Sequence, residues 1–106
     1  MDRLKGFQKR YLRSVAHSLK PVVFVGHKGV TPTLVDAVGE ALDRHELVKV
    51  KFLEFKEKEQ KMAIVARIEQ SVPCETVGLV GHMAIFYRQQ KDPEKRKIIL
   101  PRKSED

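Results

Sequence analysis

The sequence predicts an α/β fold of order α-β-α-β-α-β-β, a compact four-stranded mixed sheet with packed helices. Three observations carry this expectation. Apolar residues recur at three- and four-residue spacing in three stretches, around 7–19, 34–42 and 62–72, as one face of a helix requires. Between them stand β-rich runs, Val22-Val23-Phe24-Val25 and the alternating Leu47-Val48-Lys49-Val50-Lys51-Phe52-Leu53. The early strands are separated by helical crossovers, which parallel pairing needs, whereas the late strand material is close together, as in a hairpin.

The chain of 106 residues suits one domain, read as residues 1–103 with a short charged tail at 104–106. No apolar run approaches the roughly 20 residues of a membrane span, and Cys74 is the only cysteine, so no intrachain disulfide can form. Both features fit a cytoplasmic protein. The net charge is +7, and its placement is uneven. Residues 1–30 hold seven Lys/Arg and one acid, Asp2, whereas residues 31–106 hold fourteen Lys/Arg and thirteen acids. A cationic surface gathered in one stretch fits a polyanionic partner.

In chain order, a first helix over 6–19 places Phe7, Tyr11, Leu12, Val15, Ala16 and Leu19 on one face and Lys5, Lys9, Arg10 and Arg13 on the other. Lys20-Pro21 ends it, because the residue before proline is driven out of the α region. The strand at 22–25 then stops at Gly26-His27-Lys28-Gly29. Thr31 reads as an N-cap and Pro32 as the first helical residue, where its missing N–H costs nothing. Two glycines permit positive φ and close approach of another molecule, while a helix N-terminus supplies free N–H groups. With Lys28 at its tip, the bend suits a phosphate. It is neither a Walker loop nor a dinucleotide fingerprint, whose glycine spacings differ.

The second helix, over 31–45, directs Leu34, Val35, Val38, Ala41 and Leu42 inward, with Gly39 expected at a close packing contact. In the strand at 47–53, Lys49 and Lys51 point one way and Val48, Val50 and Phe52 the other. A third helix over 58–71 turns Met62, Val65, Ile68 and Val72 inward and is stopped by Pro73. Residues 76–81 and 82–87 are strand material interrupted by glycines, where a bulge or bend is expected, and 98–100 reads as a last short strand.

Leu19-Lys20-Pro21-Val22-Val23 leading into Gly26-His27-Lys28-Gly29, the segment from His45 to Lys51, Phe86-Tyr87-Arg88 and Lys97-Ile98-Ile99-Leu100-Pro101 stand in an order that resembles the YhbY-type, CRM-domain RNA-binding proteins. The resemblance runs from about Leu4 to Lys103. It implies a fold similar to the C-terminal domain of translation initiation factor 3, and RNA binding through the GxxG loop and adjacent basic surface. It also implies a role for stand-alone bacterial members with precursors of the large ribosomal subunit, and for plant organellar relatives in group II intron splicing. The absence of long extensions here favours the ribosomal role.

The expected RNA contacts are Gly26, His27, Lys28 and Gly29, extended by Lys5, Lys9, Arg10, Arg13, Lys49, Lys51 and Arg88. His27 either stacks on a base, donates to a phosphate or is simply solvated. Phe86 and Tyr87 are neighbours on a strand and face opposite ways, so one belongs to the core and an exposed Tyr87 would be free to stack. Arg88 either contacts RNA or pairs with a carboxylate. His45 closes a helix, where its charge suits the C-terminal dipole. The four histidines and Cys74 show no metal-ligand spacing, and no nucleophile stands with a positioned base, so neither a cofactor, a metal nor catalysis is expected. The function expected is non-catalytic binding of ribosomal RNA by a monomer, without a membrane or small-molecule substrate. The alternatives are a module whose basic surface binds an acidic protein, or an RNA splicing or maturation cofactor.

Overall fold

In the computed structural model, which describes residues 3–102, the elements run α1 (Gly6–Ala16), β1 (Val23–Val25), α2 (Pro32–His45), β2 (Leu47–Phe52), α3 (Lys58–Ser71), β3 (Glu75–Val80) and β4 (Met83–Tyr87). A single 3-10 turn, Pro93–Lys95, follows. The strands form one mixed sheet in the order β1-β2-β4-β3, with β1 parallel to β2 and the other pairs antiparallel. The α/β order and four-stranded mixed sheet are those the sequence predicts.

Alternation along the strands builds two cores. Val23 and Val25, Val48, Val50 and Phe52, and Ala84 and Phe86 face α2 and α3, whose Leu34, Val38, Leu42, Ile64, Val65 and Ile68 complete the larger one. The intervening Leu47, Val77, Ile85 and Tyr87 face the other way, onto Leu12 and Ala16 of α1. Burial of each large side chain contributes roughly 1.5–3 kcal/mol. The sheet is thus sandwiched, and Phe86 and Tyr87 are both fully buried. This removes Tyr87 from the stacking role: α1 covers the face that the sequence leaves open.

Capping sets the helix limits. Thr31 Oγ1 accepts from the Leu34 N–H at 3.1 Å and Pro32 stands at the helix start, as expected. α1 ends three residues earlier than its apolar spacing suggests, at Ala16, whose carbonyl accepts from the Leu19 N–H. In α3 Val65 and Ile68, and Val72 just beyond it, face inward as expected, and the first turn differs. Met62 is 55% exposed, and Lys61 is buried instead, its Nζ donating to the Gly81 carbonyl at 2.6 Å. That bond holds the two-residue β3–β4 turn, whose first residue, Gly81, has φ +58°. The expected bulge lies at Val77, where the β3–β4 register slips between Thr76 and Gly78. Gly39 is not at a close contact: a Cβ there would meet nothing within 4 Å.

Residues 98–100 form no strand. They are fastened by Glu46, which is 1% exposed and sits at the α2–β2 junction with φ +61°. One carboxylate oxygen accepts from the N–H groups of Lys97 (2.6 Å) and Ile98 (3.1 Å), and the other from that of Gln90 (2.8 Å). Ile98 and Leu100 then lie against the α1-side core. Glu46→Ala leaves three main-chain donors without their acceptor and is expected to cost about 2–4 kcal/mol. Urea unfolding measures the loss, and faster hydrogen exchange at Gln90, Lys97 and Ile98 assigns it to this clasp.

Candidate nucleic-acid interface

β1 is an edge strand of only three residues, and the chain leaves it through a tight turn in which the Gly29 N–H donates to the Gly26 carbonyl at 3.0 Å. His27 and Lys28 form the exposed tip. Gly29 has φ +67°, a conformation glycine adopts without strain, and a Cβ there would stand 3.7 Å from the Phe55 ring, which supports the loop from below. Gly26 has no positive φ; a Cβ on it would project into open space. The two glycines therefore do different work, one shaping the turn and the other leaving its approach clear.

The helix N-terminus beyond the turn offers less than its position suggests. Pro32 has no N–H, and those of Leu34 and Val35 are taken by the side chain and carbonyl of Thr31. Of the first four helical residues, Thr33 alone has its amide left for another molecule. The main-chain donors available to an anion are accordingly those of Thr33 and of the tip residues His27 and Lys28, with the Lys28 ammonium beside them.

The remaining sequence candidates divide. Lys51 lies directly opposite Phe24 across the β1–β2 pair, close to the turn. Lys49 is on the same face but donates to the Leu19 carbonyl at 3.0 Å, joining β2 to the segment between α1 and β1. Arg13 lies over the far edge strand, its stem against Gly78 and its Nη1 donating to the Val77 carbonyl at 2.9 Å. Lys5 is at the opposite corner, since the preceding Leu4 N–H bonds to Glu75, which starts β3. Lys9 and Arg10 lie between these positions on α1. Arg88 pairs with Asp43 at 2.7 Å and donates to the Gly39 and Pro73 carbonyls, so the carboxylate alternative holds in this structure. The cations thus do not form one track leading to the bend. Among the described residues only two ion pairs form, Arg88–Asp43 and Arg3–Glu75, so most of the positive charge stays unneutralised. No group of three His, Cys, Asp or Glu able to hold a metal occurs among the described residues.

Residues 4–88 match the CRS1 / YhbY (CRM) domain, a span that includes the bend, Glu46 and all four strands. The chain belongs to this family. A Haemophilus influenzae protein named RNA-binding protein is 37% identical over 103 residues, covering 97% of this chain and 100% of that protein. The probable RNA-binding protein YqeI of Bacillus subtilis is 36% identical, covering 92% of this chain and 99% of its own. A hypothetical Staphylococcus aureus protein solved in solution, described as a candidate RNA binder, superposes with a TM-score of 0.80 at 31% identity, over 93% of this chain and 100% of that one.

Sequence reasoning did not single out three residues on which this CRM domain relies: Glu46, Lys61 and Phe55. Glu46 and Phe55 both adopt positive φ without being glycine, a property that no residue pattern announces. Buried groups also set a limit on alkaline stability. Burial, reinforced by Glu46, pushes the Tyr87 phenol up from 10.0 to about 12, and burial together with Glu69 pushes the Cys74 thiol up from 9.0 to about 12. In both cases the native state holds its proton more tightly than the unfolded chain. Their contribution is complete below the unfolded value and is lost as pH rises toward 12. Urea midpoints are therefore expected to fall above about pH 9, with a shallower fall in Tyr87→Phe and Cys74→Ala. Because the Tyr87 hydroxyl has no hydrogen-bond partner among the described residues, Tyr87→Phe should also gain about 1 kcal/mol at neutral pH.

Proposed function

We propose that this CRM domain is a non-catalytic RNA-binding module that takes phosphate at the Gly26–Gly29 bend, and that its RNA is ribosomal, within precursors of the large subunit in the cytoplasm. The observation that carries RNA binding is the bend itself: an exposed tip with main-chain donors and Lys28, on a chain of net charge +7 whose cations are mostly unpaired among the described residues. The names given to the H. influenzae and B. subtilis relatives support the same partner. The ribosomal assignment rests on the family resemblance of the GxxG loop and the His45–Lys51 segment. Lys51 extends the contact along β2, and Lys9 and Arg10 supply longer-range attraction.

Lys28→Ala is expected to reduce the slope of log K against log salt by about 1, the value for one lost phosphate contact. An unchanged slope in filter binding removes Lys28 from the interface. Gly26→Asp places a carboxylate in the open approach without straining the turn, and should abolish RNA binding at an unchanged melting temperature. Gly29→Asp is the poorer probe because its positive φ makes a loss of stability inevitable. Comigration with immature large subunits on a sucrose gradient tests the ribosomal assignment. Absence of salt-sensitive RNA binding would instead favour an acidic protein as partner.

A further inference from the structure

The α1 helix does not cover the whole of its side of the sheet. Its core residues meet Leu47, Ile85, Tyr87 and Val77, toward one end of β2, β4 and β3. At the other end a single cross-sheet row stays open: Phe24 opposite Lys51, Lys51 opposite Met83, and Met83 opposite Val80. Phe24 is 49% and Val80 60% exposed, and Phe24 belongs to neither core. An aromatic ring held on a strand, half in solvent with a lysine across from it, is a poor contributor to folding. It is a good platform for a flat, anionic ligand.

Phe24 is also continuous with the bend. The cleft of about 400 Å³ that runs along the β1 edge, with Thr33, Leu34 and Ala37 of α2 on its far wall, is bordered by Phe24 and by Gly26, His27, Lys28 and Gly29. Two residues of extended chain separate Phe24 from Gly26, about 7 Å, a span that one nucleotide covers from phosphate to base. We propose that Phe24 stacks on a nucleobase whose backbone phosphate is held at the bend, with Lys51 against the neighbouring phosphate. This deepens the RNA reading above and rests on it. A base in an uninterrupted duplex is already stacked on both sides and unreachable, so the domain selects RNA with an unpaired nucleotide, in a loop or bulge, over a perfect helix. Lys51 and the exposed loop cation favour RNA as the occupant over an apolar protein surface, which would have to desolvate both charges.

The test uses two blunt-ended duplex RNAs, one perfectly paired and one with a single bulged 2-aminopurine, and compares the wild type with Phe24→Leu and Phe24→Tyr. Leucine keeps the strand apolar without a π-face, and tyrosine restores it. Wild type and Phe24→Tyr should quench the bulged base and bind that RNA more tightly than the perfect duplex. Phe24→Leu should lose the quenching and bind the bulged RNA about tenfold more weakly, with unchanged affinity for the perfect duplex and an unchanged salt slope. Salt-sensitive binding in which Phe24→Leu behaves as wild type toward both RNAs overturns the stacking while leaving the phosphate site standing. No salt-sensitive RNA binding by the wild type overturns both. If the free protein sediments as a dimer that Phe24→Leu dissociates, without a change in RNA affinity, the row is a self-association face and the proposal fails.

Discussion

Covering both faces of a four-stranded sheet with only three helices is the constraint from which the rest of this structure follows. α2 and α3 close one face completely, because every second residue of β1, β2 and β4 directed at them is apolar. The other face receives only α1, eleven residues long, and the C-terminal segment around Ile98 and Leu100. What those elements reach is core, down to a fully buried tyrosine. What they do not reach, at the β1 end, is open sheet beside a glycine-framed turn. The position of the surface most accessible to a partner is therefore a consequence of how the apolar area was divided.

The C-terminal segment can serve as part of that cover because of one buried carboxylate. Glu46 adopts a left-handed backbone conformation at the α2–β2 junction, which aims its side chain at the amides of Gln90, Lys97 and Ile98. Such an arrangement fixes a segment without regular structure through three main-chain donors, and it leaves the outer edges of the sheet free of a fifth strand among the described residues. Lys61 does the equivalent for the β3–β4 turn. Both are charged residues placed where their fixed geometry matters more than their charge; Glu46 lies at the end of the sheet opposite the bend, and the turn that Lys61 holds lies at the same end as the bend.

The parts legible in the sequence were those fixed by neighbours in the chain. Thr31-Pro32 marked the start of α2, the paired glycines marked the bend, and the alternation of β2 separated Lys49 and Lys51 from Val48 and Val50. The parts that were not legible depend on what arrives from elsewhere. Alternation shows that Phe86 and Tyr87 face opposite ways, but not that α1 covers the second face. Ile98-Ile99-Leu100 has the composition of a strand, and only the Glu46 clasp shows why it does not pair as one. Lys61 looked like solvent-facing charge because its apolar stem and its distant carbonyl partner are invisible in one dimension. The candidate interface divides in the same way. The loop was local and legible, whereas Arg13 and Arg88, which matched in charge, are engaged by carbonyls and a carboxylate far along the chain.

In the proposed binding mode, the bend and the open end of β1, not basic charge wherever it falls, make the RNA-binding surface. An amide chemical-shift titration of the wild-type protein with a bulged RNA duplex maps that surface directly. Shifts are expected to concentrate at Phe24 to Gly29, Thr33 and Lys51 and to leave the region of Cys74, Arg88 and Lys91 unmoved. Shifts spread evenly over the basic residues of α1 and the C-terminal segment, with the bend silent, would contradict that binding mode.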